Sequence, residues 1–214
     1  MAKIGLRYPA VMQITDYDTT GMPKYASGIF VGKGVKADIS YEGADAELHA
    51  DDTLAEYDNG TVSYSGTLEV DGFGTHQSAA KETDLSVLAY LRGTDTESGK
   101  SDDKYTEALE TTGASAPYLG FVYIKRKVKE GKTYWVVKHC YKVCFKVPND
   151  SAQTKEKSTT FNTSSVDFTG MGVEIMGKEE PVFTKDYLCE TLEDAIALLK
   201  SLAHIAEGVT TTGA

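Results

Sequence analysis

Apolar and polar residues alternate over residues 117–148 (PYLGFVYIKRKVKEGKTYWVVKHCYKVCFKVP), the longest run of two-residue periodicity in the chain. Successive side chains of a β-strand point to opposite faces, so this pattern predicts a strand with one buried face. The predicted buried face consists of Trp135, Val137, His139, Tyr141, Val143, Phe145 and Val147. Residues 118–128 are predicted to pair with this strand, because Gly131 in the short connection can adopt the positive φ of a hairpin turn. We expect the hairpin to form the centre of the main sheet.

Shorter patterns predict further strands at residues 11–17, 29–41, 61–70, 104–109, 158–167 and 171–176. Gly32 and Gly34 indicate a turn or a bulge inside the second of these. Asn59 and Gly60 are typical of a turn just before the third.

Helical spacing of apolar residues predicts two helices. The first spans residues 84–92 and ends at Gly93; the second spans 191–206, with Thr191 and Asp194 resembling a capping box. Residues 94–103 are predicted to form a polar surface loop. The chain therefore reads as α+β, mainly β, with helices laid on a sheet in a single domain over residues 1–214.

Charge is unevenly distributed along the chain, whose net charge is −10. Residues 38–58 contain eight acidic residues and no Lys or Arg, whereas residues 125–157 contain ten basic and three acidic residues. The acidic total argues against a surface that grips nucleic acid. The two segments are either solvated surfaces of opposite sign or complementary surfaces that meet, within one chain or between copies.

The acidic segment 42–58 (EGADAELHADDTLAEYD) has few β-branched residues. It is expected to be a long connection that either forms a short helix or extends away from the domain as a loop. A loop of this length in a compact domain often serves binding. Asp51 and Asp52 are weak candidates for metal ligands or a catalytic pair, because neighbouring strand residues point apart and His49 is the single candidate partner.

No catalytic or metal-binding motif emerges from the other polar residues. The segment 16–21 resembles the start of a calcium loop, but Ser27 occupies the twelfth position, where a bidentate Glu is required. His139 is expected to be a hydrogen-bonded core histidine, and the three cysteines are expected to be free thiols in a reducing compartment. We predict no enzymatic activity, no cofactor and no metal. The chain has no apolar run long enough to cross a membrane and its start lacks a signal peptide, so we expect synthesis in the cytoplasm.

Residues 35–70 (VKADISYEGADAELHADDTLAEYDNGTVSYSGTLEV) resemble the major tail proteins, or tail-tube subunits, of long-tailed phages of Gram-positive bacteria. Three further segments agree in order and spacing. They are the opening MAKIGLRYPAVMQI, the run APYLGF at 116–121, and NDSAQTK at 149–155 followed by STTF at 158–161.

The resemblance implies a β-sandwich or small barrel with one flanking helix, to which the periodicity of residues 191–206 adds a C-terminal helix. It implies self-assembly into stacked, hexameric rings, in which inner strands of neighbouring copies join and residues 42–58 contact a neighbouring subunit or ring. DNA would pass through the lumen without specific binding. Further partners would be the tape measure, tail terminator and distal tail proteins, and no membrane is involved. The location would be the virion tail, after synthesis in the bacterial cytoplasm.

The charge pattern and the resemblance together predict a subunit interface between residues of the acidic segment and a group of lysines. Its members are Asp38, Glu42, Asp45, Glu47, Leu48, Asp51, Asp52, Leu54, Glu56, Tyr57, Asp58, Lys125, Lys127, Lys138, Lys142 and Lys146. The alternative function is a non-enzymatic β-sandwich module that binds a glycan or a host surface through Tyr134, Trp135 and Tyr141.

Overall fold

The computed structural model describes residues 3–50, 53–73, 84–93, 96–98, 106–108, 115–146 and 163–205. The strands are β1 (Lys3–Tyr17), β2 (Pro23–Tyr25), β3 (Ile29–Phe30), β4 (Gly34–Ala50), β5 (Thr53–Val70), β6 (Thr96–Ser98), β7 (Thr106–Ala108), β8 (Leu119–Lys129), β9 (Lys132–Phe145), β10 (Ser164–Gly170) and β11 (Thr184–Cys189). The helices are α1 (Asp84–Arg92) and α2 (Leu192–Leu202). Within the described part of the chain, no helix is long and apolar enough to span a membrane.

Nine strands form one antiparallel sheet in the order β2-β1-β8-β9-β10-β5-β4, with β3 beside β1 and β11 beside β9. Strands β6 and β7 pair separately. The prediction of a mainly β, α+β fold is confirmed. The predicted long hairpin is also confirmed, since β8 and β9 pair along their length in the middle of the sheet. Glu130 and Gly131 form its turn with φ values of 51° and 77°, the positive φ that a two-residue hairpin turn requires.

The prediction that β9 buries a single face is wrong, because residues 136–141 are all buried. One apolar cluster lies between β8, β9 and α2 and includes Val122, Val137 and Leu199. The other lies where β5 and β10 pack over β8 and β9 and includes Tyr64, Phe121, Cys140, Phe145 and Phe168. The sheet therefore folds over on itself, with α2 covering the outer side of its centre.

A β-bulge in β9 explains why the predicted face is split. Leu119 pairs with Val143 but Phe121 pairs with Cys140, so β9 has one extra residue between these positions. The extra residue reverses the alternation of side chains. Val137 consequently packs toward α2, whereas Val143 packs into the cluster under β5 and β10.

Both predicted helices are present. Asp194 N–H donates to Thr191 Oγ1 over 3.1 Å, the capping contact expected from the sequence. Helix α2 ends at Leu202, four residues before the predicted end, and its C-cap is Ala203; Gly208 lies outside the described residues. Gly93 follows α1 with a φ of 69°, as predicted for a glycine that ends a helix.

Several strand boundaries differ from the predictions. Asn59 and Gly60 lie inside β5, paired with Asp45 and Ala44, so the turn predicted there is wrong. Residues 171–176 form a single bridge, between Val173 and Val182, instead of a strand. Strand β11 had no predicted counterpart. Strand β6 lies within the segment predicted as a polar loop. Strand β10 starts at Ser164, and the preceding residues 158–162 are outside the described part of the chain.

His139 is a core residue, as predicted, but its expected hydrogen bonds are not found among the described residues. It is 3% exposed, and neither ring nitrogen has a hydrogen-bond partner there. The rings of Tyr25 and Tyr141 lie 5.5 and 4.8 Å from the imidazole, between centroids. Burial, together with the nearby charge of Lys185, lowers the pKa of His139 to about 4.

We predict that stability falls as the pH is lowered from about 6.5 toward 4, because the unfolded chain then binds a proton that folded His139 does not. The full difference corresponds to about 3 kcal/mol of unfolding free energy. Urea unfolding at several pH values measures it. The variant His139→Leu should lose less stability over this interval than the wild type, whereas the exposed-site control His204→Asn should follow the wild type. Parallel pH profiles for His139→Leu and the wild type would contradict the prediction.

Candidate subunit interface

The acidic segment predicted as a loop is a two-stranded ribbon. From Gly43 paired with Thr61 to Ala50 paired with Thr53, β4 and β5 pair with each other, and β10 pairs with β5 only at residues 64–70. This outer part, residues 43–50 and 53–61, is here called the arm. Eight strand residues extend about 26 Å. The extended alternative was therefore correct and the helical one wrong.

The predicted acidic residues divide between the arm and the body of the sheet. Asp38 lies in the body of β4, where it pairs with Lys36. Glu42 lies at the base of the arm and accepts hydrogen bonds from the hydroxyls of Ser63 and Ser65, each over 3.2 Å. For Asp45, Glu47, Leu48, Leu54, Glu56, Tyr57 and Asp58 the structure describes the strand backbone, and Asp51 and Asp52 lie outside the described residues.

Three charged side chains meet on the inner side of β8 and β9. Lys125 Nζ lies 3.0 Å from Asp186 Oδ2, and Lys138 Nζ lies 3.3 Å from Asp186 Oδ1. Lys138 is 8% exposed and also donates to Tyr41 Oη over 3.1 Å and to Thr184 Oγ1 over 3.2 Å. One carboxylate is therefore shared by two ammonium groups.

The shared carboxylate keeps the buried Lys138 charged. Burial by itself lowers the pKa of Lys138, but the hydrogen bond to Tyr41 and the charge of Asp186 outweigh it and raise the pKa above its usual value. Burial likewise raises the pKa of Asp186, and the bonds from Lys125 and Lys138 more than compensate and lower it. Lys138 and Asp186 are therefore both ionised at neutral pH.

A groove lies above these charges, between β1 and β4. Gly5 and Leu6 of β1 form one wall, residues 35–39 and Tyr41 of β4 form the other, and Tyr123, Lys125 and Lys138 form the floor. Its volume is about 480 Å³. We call it the seam groove, since β1 and β4 approach each other here without pairing among the described residues.

The remaining predicted lysines do not join this cluster. Lys127 is half-buried on β8, where it pairs with Lys3 of β1 on one side and with Tyr134 of β9 on the other. Lys142 Nζ lies 4.3 Å from the centre of the Tyr118 ring, a cation–π contact. Lys146 is exposed and lines a shallow groove with Asp167. Lys138, Lys142 and Lys146, which the alternation predicts to form one row, are separated because the bulge lies between Lys138 and the other two.

The proposed glycan platform is not assembled. Tyr141 is 4% exposed and its ring makes an edge-to-face contact with His139. Trp135 is half-buried against the cluster under α2, where Arg7 lies 5.3 Å from its ring centre. Tyr134 is the neighbour of Trp135 along the strand and so points to the opposite face. The three aromatic rings therefore do not share an exposed surface.

The other polar candidates are structural in the described part of the chain. Asp18 Oδ1 accepts hydrogen bonds from the backbone and hydroxyl of Thr20 and from the backbone of Met22, so the carboxylate closes its own turn. No group of His, Cys, Asp and Glu suited to a metal ion occurs among those residues. Cys140, Cys144 and Cys189 are free thiols, as predicted.

Sequence reasoning missed Asp186, Thr184 and Tyr41 as partners of the predicted lysines. Strand β11 carries two of them, Thr184 and Asp186, on the same face as Leu188, which is 64% exposed. The other face carries Tyr187 and Cys189, which pack against the cluster under α2. An exposed apolar residue on the polar face therefore obscures the usual alternation. One signal in the sequence could have indicated this strand. Residues 183–189 (FTKDYLC), which precede the helix cap at Thr191, are rich in β-branched and aromatic residues.

Comparison with protein-family models gives no match for this chain, and comparison with curated protein sequences gives none either.

We predict that Asp186→Asn destabilises the monomer by about 1–3 kcal/mol, because the buried ammonium of Lys138 loses its counter-charge. The half-exposed position of Asp186 keeps the cost below that of a fully buried pair. Urea unfolding at pH 7 measures the change. The control Asp16→Asn removes an exposed pair with Lys24 at 3.9 Å and should change stability by about 0.5 kcal/mol or less. Equal stability of the two variants would contradict a structural role for Asp186.

Proposed function

We propose that this chain is a structural subunit that self-assembles into the tail tube of a long-tailed phage. In this proposal the copies form stacked rings, and DNA passes through the lumen. The chain acts as a building block with no reaction of its own. The resemblance of residues 35–70 to tail-tube subunits suggested the idea, and the geometry of the sheet supports it.

The arm is the observation that carries the proposal. Its two strands pair with each other and with no other strand among the described residues, so within that part of the chain its outer backbone groups have no strand partner. An isolated two-stranded ribbon is marginally stable in water. Contact with a second copy would supply the packing that one copy does not provide.

The outer edge of β4 supports the same interpretation. In the body of the sheet β4 pairs on one side only, with β5, and its other edge has no strand partner in the described residues. Val35 and Tyr41 on this strand are 49% and 50% exposed. A long unpaired edge with exposed apolar side chains is a template for pairing with another chain. In a ring, the neighbouring copy would cover that edge.

Charge favours a head-to-tail arrangement of the copies. The chain carries a net charge of −10, so copies repel one another unless oppositely charged patches meet. The arm is rich in carboxylates, whereas β8 and β9 carry several lysines. Contact between two different patches of the same chain produces a ring if the rotation closes. An acidic lumen would also let DNA slide without adhering to the protein.

Electron microscopy of negatively stained, concentrated protein tests the proposal. We expect hollow tubes or rings, formed by the protein alone or after addition of the other tail components. If only monomers are seen under conditions in which those components build tails, the proposal is wrong.

The charge of the arm can be tested separately. We predict that the double variant Asp51→Lys, Asp52→Lys remains folded as a monomer but assembles poorly, because it reverses the charge at the end of the arm. The matched control Glu179→Lys, Glu180→Lys makes the same charge change at two exposed positions outside the arm and should assemble normally. Normal tubes from the Asp51, Asp52 variant would exclude an electrostatic contact at that end.

A further inference from the structure

The main sheet fails to close where β1 and β4 meet. Gly34 at the start of β4 lies against Leu6, so closely that a Cβ on Gly34 would be 2.6 Å from the Leu6 side chain. Beyond this contact the two strands are separated by the seam groove. Residues 5–8 of β1 pair only with β8, and residues 34–42 of β4 pair only with β5, within the described residues. Two unpaired strand edges therefore border one groove.

The floor of the seam groove comes from the inside of the folded sheet. Tyr123 belongs to the same apolar cluster as Phe121 and Cys140, and its side chain is buried at the bottom of the groove. Lys138 lies beside it, and Lys125 lies further along β8. A floor that combines the ring of Tyr123 with two ammonium groups suits an extended segment that carries both apolar and acidic side chains.

The charges around the groove leave an excess of one positive charge. Lys36, Lys125 and Lys138 line it, against the carboxylates of Asp38, which also lines it, and of Asp186, which binds Lys125 and Lys138 from β11. Lys138 already donates three hydrogen bonds, the capacity of an ammonium group. Lys125 donates one, to Asp186, among the described residues. Lys125 can therefore accommodate a further carboxylate.

We propose that the seam groove is the site that receives the acidic arm of a second copy of this chain. The arm can balance the excess positive charge of the groove, because its carboxylates come from a stretch, residues 37–80, that contains no Lys or Arg. It is also already extended, so that its backbone can approach a strand edge without first being ordered. This proposal rests on the proposed assembly and specifies which surface accepts the arm.

The arrangement would repeat from copy to copy. Each chain has an arm at one end of β4 and a groove at the other. A copy whose groove is occupied can therefore still insert its own arm into the groove of a further copy. Such a contact is heterologous and extends or closes by repetition. The groove volume of about 480 Å³ accommodates a few residues, so the contact involves part of the arm.

Cross-linking between labelled copies tests the contact directly. Unlabelled and ¹⁵N-labelled proteins are mixed, allowed to assemble, and treated with a carbodiimide that joins ammonium to carboxylate groups in contact. We expect mixed-isotope cross-links between Lys125 or Lys36 and the arm acids Asp45, Glu47, Glu56 or Asp58. Cross-links from the arm to other lysines, with none to Lys125 or Lys36, would overturn the proposal.

A charge exchange provides the second test. Lys125→Glu should raise the concentration needed for assembly about tenfold or more, and combining it with Asp45→Lys and Glu47→Lys should restore assembly at least in part. Lys129→Glu, at the exposed end of the same strand, is the matched control and should assemble as the wild type does. If Lys125→Glu does not fold, the assembly concentration of Lys125→Gln, which should also rise, and the cross-links of the wild-type protein provide the test.

The outcomes separate the two proposals. If the wild type forms tubes and Lys125→Glu forms them equally well, the groove is not the acceptor and the assembly proposal stands. If the wild type forms no oligomer under any condition that builds tails, both proposals fail.

Discussion

The pairing of β8 with β9 is the interaction on which the rest of the structure depends. These strands lie in the middle of the sheet and are covered on both faces, by α2 on one side and by β5 and β10 on the other. Their backbone hydrogen bonds are therefore shielded from water, and the side chains of both faces contribute to packing. Strands β1, β10 and β11 pair with this ribbon, β5 reaches it through β10, and α2 packs against it.

The bulge between Cys140 and Val143 determines how this ribbon serves two cores. A regular strand would place Val137 and Val143 on one face, and the extra residue sends them to opposite faces. The same irregularity moves Lys138 inward, toward Asp186 and Tyr41, and leaves Lys142 beside Tyr118 at the surface. One additional residue thus separates the buried Lys138 from Lys142 and Lys146, which the sequence places in a single row with it.

Unpaired backbone at the margins of the sheet is the feature on which the proposed assembly rests. The arm, the outer edge of β4 and the open side of β1 all present hydrogen-bonding groups with no strand partner in the described residues. Proteins that remain monomeric usually protect such edges. Here the edges adjoin a groove with lysines in its floor, and the arm is acidic, so the proposed assembly would bring unlike surfaces of identical chains together despite a large negative net charge.

The sequence by itself determined the mainly β class, the central hairpin, both helices and the capping contact at Thr191, because these depend on local periodicity, turn chemistry and capping. It also determined that the acidic and basic residues are segregated. Tertiary structure alone decided that residues 42–50 and 53–58 pair as a ribbon, since this segment has few β-branched residues and its stability as strands comes from the partner strand. It likewise decided the bulge, the strand β11 and the meeting of Lys125, Lys138 and Asp186. These depend on contacts between residues that are distant along the chain, and no local pattern specifies such contacts.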